Sequence, residues 1–163
     1  MTSVEIYTDG SCRHNGKPNA IAAYGIFSDV DRRFNCSGPI EDPQTNQRAE
    51  LLAACYGIQL AIKLKYKRVL IYVDSEYVEK AHKGRIAKYE RNGWRNSKNN
   101  PVANEPELRW LKALSRKIRV EFMKIEREAN KADRIAKAES QRLLRKPQYI
   151  DVGLVTRSTI NMQ

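Results

Sequence analysis

Val4-Glu5-Ile6-Tyr7-Thr8-Asp9-Gly10-Ser11 alternates apolar and polar side chains, and a period of two predicts a strand with one face buried. That strand delivers Asp9 to its C-terminal end, ahead of a turn at Gly10-Ser11. Residues 20–28 and 32–37 predict two further strands of a meander, with the turn at 29–31. Past Pro43, the spacing of Ala49, Leu52, Ala53, Tyr56, Leu60 and Leu64 predicts an amphipathic helix carrying Glu50 near its start. Val69-Leu70-Ile71-Tyr72-Val73 then reads as a strand buried on both faces and ending at Asp74.

Residues 75–98 read as short helix or loop, and 96–101 as a polar, turn-rich link. Asn104 with Glu107 three residues on and Pro106 in the first turn predicts a helix start, with Asn104 as the cap. Leu108, Leu111 and Leu114 give that helix its apolar face. A last strand is expected over 118–125 and a last helix over 129–144. The order βββαβ, helices, βα describes an α/β fold: a mixed sheet with helices on its faces. Residues 145–163 read as a tail, basic first and then apolar around Tyr149 to Val155.

The chain has 163 residues, 41% of them hydrophobic, which suits a single domain with one core. No run approaches the roughly 18 to 20 apolar residues of a membrane span, and the N-terminus lacks a secretory layout, so an intracellular protein without a membrane is expected. Three cysteines without CxxC spacing indicate free thiols in a reducing compartment, cytoplasmic or nuclear, rather than a disulfide framework or zinc site. A formal charge of +11 favours a polyanionic partner, and composition alone leaves nucleic acid and anionic membrane both open.

Taken singly, the carboxylates are ordinary. Asp9 could form a turn, Glu50 could be a solvated helix residue, Asp74 could cap the helix after it, and Asp133 could simply pair with Lys137 four residues on. Their surroundings change the reading: Tyr7-Thr8-Asp9-Gly10-Ser11, Thr45-Asn46-Gln47-Arg48-Ala49-Glu50-Leu51, Val73-Asp74-Ser75 and Ala132-Asp133-Arg134-Ile135-Ala136 follow one another in that order. On these motifs the sequence resembles the type 1 ribonuclease H family over roughly residues 1–140.

The resemblance implies the ribonuclease H fold, a five-stranded mixed sheet flanked by helices. It also implies that Asp9, Glu50, Asp74 and Asp133 converge as catalytic and metal-holding side chains, with residues 1–144 as the catalytic domain. Clustered carboxylates suit phosphodiester hydrolysis because they hold hard cations that offset the charge of the transition state. Two Mg²⁺ ions about 4 Å apart, with Mn²⁺ as a substitute, are the implied cofactors. Asp9 would bridge both, Asp74 would hold the ion that activates water, and Glu50 and Asp133 would complete the shells. The implied partner is an RNA–DNA hybrid whose RNA strand is cut to leave 5′-phosphate and 3′-hydroxyl ends, as in primer removal or hybrid clearance, and the enzyme is expected to be a monomer.

An enzyme of this kind must read 2′-hydroxyls on one strand and accept deoxyribose on the other. Cys12, His14, Asn15, Asn46 and Gln47 match positions that contact the RNA strand in the family; Asn15 before Gly16 reads equally well as a turn residue. Lys80, Lys83, Arg85, Lys88, Arg91, Arg95 and Lys98, opposed only by Glu90, could be a solvated face, but Tyr89 and Trp94 among them fit a nucleic-acid groove better. Gly93-Trp94 followed by Pro101-Val102 and Asn104 resembles the basic handle of cellular enzymes, over about 80–100. For the DNA strand the resemblance implies Thr45, Asn104, Tyr77, Arg85, Lys88, Tyr89 and Trp94. Arg85 departs from the aromatic residue of eukaryotic relatives, Pro43 replaces an arginine of their phosphate pocket, and Trp94 reads better as a core anchor than as a stacking surface.

One departure is larger. Many cellular members carry a histidine in the loop before the last helix, whereas Ile125-Glu126-Arg127-Glu128-Ala129-Asn130-Lys131-Ala132-Asp133 has none, and His14 and His82 lie elsewhere. The Arg-Glu-x-Asn-Lys form resembles the archaeal and plant-like branch. Arg127 or Glu128 is expected to take over the proton transfer or product release assigned to that loop. The competing readings are a non-catalytic hybrid-binding module, against which all four carboxylates argue, and another nuclease of the same fold such as a resolvase, integrase or exonuclease, against which Thr45 to Glu50 and the handle argue.

Overall fold

The structure, a computed structural model, describes residues 2–145. Apart from Arg145, the expected tail lies outside the described residues. Five strands form one sheet in the order β3-β2-β1-β4-β5: β1 (Ser3–Arg13), β2 (Ile21–Phe27), β3 (Cys36–Pro39), β4 (Arg68–Val73) and β5 (Arg119–Lys124). The β1–β2 and β2–β3 pairs are antiparallel, and the β1–β4 and β4–β5 pairs are parallel. The helices are α1 (Asn46–Lys63), α2 (Glu76–Lys80), α3 (Ile86–Arg91), α4 (Glu105–Ser115) and α5 (Asp133–Leu144). None is long and apolar enough to cross a membrane.

Strand alternation distributes β1 between two layers. Ile6 and Thr8 point at Gly57 of α1, and Gly10 lies under Ala49 and Glu50 of the same helix. The odd-numbered residues turn the other way: the Ser11 hydroxyl meets that of Ser140 in α5 at 2.9 Å. α1 thus covers one face, with α4 packed against α1 and α2 against β4 and β5, and α5 crosses β1, β2 and β3 on the other. Ile6, Leu51, Ile58, Ile71, Leu108 and Leu111 fill the first layer, each contributing about 1.5–3 kcal/mol by leaving water.

Several expectations from the sequence need correction. β4 is not buried on both faces: Val69, Ile71 and Val73 are buried, but Leu70 and Tyr72 are only half-buried, because α5 stops short of β4 and β5. The third strand begins at Cys36, since Arg32–Phe34 form a 3-10 turn. Asp31 accepts the Arg33 N–H at its start and Phe34 is buried, so an apolar residue that looked like strand belongs to a turn. α5 begins at Asp133 rather than 129, because the Asn130 side chain takes the Ala132 N–H after a separate 3-10 turn at Arg127–Ala129. Residues 76–91 are helical throughout, with one wide π turn at Ala81–Arg85 between α2 and α3. Asn104 stands at the start of α4 in a left-handed conformation (φ 61°) and its side chain does not cap the helix. Ser75, not Asp74, caps α2 by accepting the Val78 N–H.

Candidate active site

Register brings the first two carboxylates together. β1 and β4 run parallel with Tyr7 opposite Tyr72, so Asp9 and Asp74, each two residues further on, come side by side where the pairing of these two strands ends. Against expectation, Asp9 is not the end of its strand and Gly10-Ser11 is no turn, because pairing with β2 carries β1 on to Arg13. Ligands of α/β sheets characteristically bind outside the C-terminal end of the parallel pairing. The other two side chains arrive through glycines. A Cβ on Gly10 would lie 2.4 Å from the Glu50 nitrogen, so only glycine lets the first turn of α1 rest on β1 and carry Glu50 to the site. Gly25, directly opposite Asp9 on β2, gives the same clearance to α5: a Cβ there would meet the Ala136 nitrogen at 2.8 Å and the Ala132 oxygen at 2.9 Å. Asp133 follows Ala132 and reaches Asp9 from that side.

Carboxylate oxygens of Asp9, Glu50 and Asp74 lie within 4.8 Å of one another. Asp133, outside that group of three, comes close enough to Asp9 for each carboxyl to act on the other's ionisation. Asp9 is only 6% exposed. Burial, followed by the charges and contact of Asp74, Asp133 and Glu50, pushes its pKa up to about 8. Glu50 is raised chiefly by burial, against which hydrogen bonds from Ser75 and Asn46 and the nearby Arg127 work. For Asp133 burial pushes upward, but hydrogen bonds with Lys137 and Asp9 and the charges of Lys137 and Arg127 outweigh it and hold its pKa down. The Lys137 ammonium is 2.8 Å and the Arg127 guanidinium 3.7 Å from Asp133. The pairing of Asp133 with Lys137 and its place at the site therefore coexist.

This donor set is all oxygen, with no thiolate or imidazole in the cluster, and its mutual repulsion is what a divalent cation would relieve. It fits a hard ion of the magnesium and manganese kind.

Two supporting residues escaped the sequence reading. Asn130, 5% exposed, donates from Nδ2 both to the Thr8 carbonyl and to Asp74 Oδ2 at 3.0 Å, tying the loop before α5 to β1 and to the site. Gln44 accepts the Ala22 N–H at 2.7 Å, donates to the Ile40 carbonyl, and so pins the loop leading into α1. Both are amides in polar stretches, and only their tertiary partners reveal them.

The residues expected at the RNA strand gather on one rim. The Asn46 N–H donates to Asn15 Oδ1 and its Nδ2 to Glu50 Oε1, joining that rim to the carboxylates; His14, Asn15 and Gln47 are exposed and Cys12 is half-buried. Thr45 caps α1 through its hydroxyl oxygen. Asn104 donates to the Tyr77 hydroxyl at 3.0 Å. Arg85, Lys88 and Tyr89 line a cleft of ≈ 240 Å³ with Asn92, Arg95 and Asn96. Trp94 does not join them: at 7% exposure it is an anchor in the core, with the Arg109 guanidinium 4.5 Å over its ring, and is withdrawn from the DNA surface. Arg127 and Glu128 stand on the 3-10 turn beside Asp133, lining a cleft with Asn130, Lys131 and Arg134.

Sheet order and site together define the class: an α/β protein with an all-oxygen centre for divalent cations where the pairing of its central parallel strands ends. The chain belongs to the ribonuclease H family, whose model, RNase H, matches residues 1–141. It is similar to the Ribonuclease H of Moorella thermoacetica, 37% identical over 145 residues, covering 85% of this chain and 91% of that one. It is 32% identical over 123 residues to Ribonuclease H1 of Mus musculus, covering 76% of this chain and 43% of the mouse protein, so it spans less than half the length of that relative. The solved structure of the foamy viral protease-reverse transcriptase in complex with RNA/DNA hybrid shares the fold, with a TM-score of 0.70 at 23% identity over 84% of this chain and 20% of that one.

Proposed function

We propose that the protein is an endonuclease that hydrolyses the RNA strand of RNA–DNA hybrids, with residues 1–144 as its catalytic domain. The observation that carries this reading is the convergence of Asp9, Glu50 and Asp74 within 4.8 Å, with the Asp133 carboxyl close enough to Asp9 to act on its ionisation. Family membership supports it, as do the ribonuclease H relatives and the hybrid bound by the foamy viral protein.

Asp9, Glu50, Asp74 and Asp133 would hold two Mg²⁺ or Mn²⁺ ions, which when bound supply an activated water and offset charge on the phosphorane-like transition state. Asn130 holds Asp74, and Ser75 and Asn46 hold Glu50, so the ligand oxygens are fixed before substrate arrives. The rim of Cys12, His14, Asn15, Asn46 and Gln47 would read the RNA strand. Thr45, Asn104, Tyr77, Arg85, Lys88 and Tyr89 would take the DNA strand. Arg127, which carries positive charge toward both Glu50 and Asp133, would stand where other members place the loop histidine and steady the cleaved phosphate as it leaves, with Glu128 beside it. The products would carry 5′-phosphate and 3′-hydroxyl ends. The enzyme would act as a monomer in a reducing cytoplasmic or nuclear compartment, where it removes primers or clears hybrids.

Cleavage of labelled RNA–DNA, RNA–RNA and DNA–DNA duplexes with Mg²⁺ or Mn²⁺ tests this. Only the hybrid should be cut, and Asp74→Asn should lose at least about 10³-fold in kcat, the scale of a group that acts on the transition state. Cutting of duplex DNA alone, or binding of hybrid without turnover, would overturn the proposal.

A further inference from the structure

Two basic runs that lie far apart in sequence meet at the end of the molecule opposite the carboxylates. Lys63, Lys65, Lys67 and Arg68 close α1 and open β4; Arg116, Lys117 and Arg119 close α4 and open β5. Parallel pairing sets Arg68 beside Arg119, and the Arg119 N–H donates to the Lys67 carbonyl. All seven side chains are exposed. Glu121 pairs with Arg68 at 2.6 Å and with Arg119 at 3.2 Å; among the described residues no acid pairs with the other five.

The patch borders a cleft of ≈ 580 Å³ between α1 and α4, with Leu60, Leu114 and the half-buried Trp110 as its floor and Lys63 and Lys117 on its rim. Six residues of β4 at about 3.3 Å each put it about 20 Å from Asp74. The stretch of α1 from Glu50 to Lys63, at about 1.5 Å per residue, gives the same separation.

We propose that this surface is a second nucleic-acid site, one that takes a single strand, such as the unpaired DNA or RNA running off a hybrid. Uncompensated cations that continue beyond the cleft match the phosphates of an extended polyanion, and an aromatic floor between them offers unpaired bases an apolar place to lie. An acidic peptide would match the two rim lysines but leave Lys65, Lys67 and Arg116 unanswered. The proposal goes beyond the hydrolysis inferred above and does not require it.

The test is fluorescence anisotropy of a labelled single strand of about 15 nucleotides, in EDTA and low salt, with one equivalent of unlabelled blunt hybrid present. Wild type should bind the strand beside the hybrid. The double variant Lys63→Glu/Lys117→Glu should bind it at least about tenfold more weakly, with an unchanged melting temperature and unchanged cleavage of the blunt hybrid. Lys88→Glu should leave strand binding intact. If the strand binds the double variant as tightly as wild type, if Lys88→Glu abolishes binding instead, or if an Asp- and Leu-rich peptide binds the cleft while the strand does not, the proposal fails. Failure of the nuclease reading would register separately, as absent hybrid cleavage with strand binding intact.

Discussion

At the scale of single residues, the site depends as much on what is missing as on what is charged. Gly10→Ala places a methyl group against the Glu50 and Ala49 backbone, which cannot move without lifting α1 off β1. We expect a loss of about 1–3 kcal/mol in chemical denaturation and a much larger loss of turnover, because Glu50 is displaced. Asn130→Ala leaves the Thr8 carbonyl and one oxygen of Asp74 without their donor. Stability should fall by about 1–3 kcal/mol, and kcat should fall with it while KM for the hybrid holds; an unchanged kcat would show that Asn130 serves packing alone. The carboxylates were legible from their flanking motifs, but neither glycine nor Asn130 was. Gly10 and Gly25 look like turn or strand residues until the helix above each is known, and an asparagine in a polar loop gives no sign that it reaches 122 positions back to Thr8.

At the scale of elements, the separate roles proposed for the loop before α5 and for the basic segment 80–100 can be told apart by kinetics. Arg127→Ala removes positive charge beside Glu50 and Asp133. We expect kcat to fall about 10- to 100-fold, with a displaced pH–rate profile and little change in hybrid affinity; unchanged turnover and pH dependence would remove Arg127 from the reaction. Lys88→Glu, on that basic segment, should instead raise KM and flatten its dependence on salt while sparing kcat, as fits a residue that meets phosphate. Elements with a strong hydrophobic period, β1, α1 and α4, were placed by it, although β1 runs on through the expected turn at Gly10-Ser11 to Arg13, where continued pairing with β2 holds it extended. Where a side chain rather than periodicity sets the boundary, the reading slipped: Asp31 folds residues 32–34 into a turn, and Asn130 delays α5 to Asp133. The π turn at Ala81–Arg85 left no pattern to recognise, since Lys83, Gly84 and Arg85 are all exposed.

At the scale of the whole molecule, packing three carboxylates around a buried Asp9 makes stability depend on both acid and metal. Folding raises the Asp9 pKa to about 8, above the roughly 3.9 of an unfolded chain, so between those values the native state holds the extra proton. That stabilisation is complete below the lower value and is lost as pH rises through the upper one. Without metal, the melting temperature should therefore decline from about pH 5 to pH 8. Mg²⁺ or Mn²⁺ should raise it more at pH 8 than at pH 5, because bound cations replace the proton. Asp9→Asn should flatten the metal-free decline and abolish most of the gain; a melting temperature indifferent to both pH and metal would contradict this account.

The helix that brings Asp133 is the last regular element among the described residues, and Gly25, on the second strand, is where it settles. Synthesis must therefore pass residue 133 before the fourth carboxylate can reach the first. Until α5 has been made and docked against Gly25 the proposed centre is incomplete, so its competence would come in one docking step rather than by degrees.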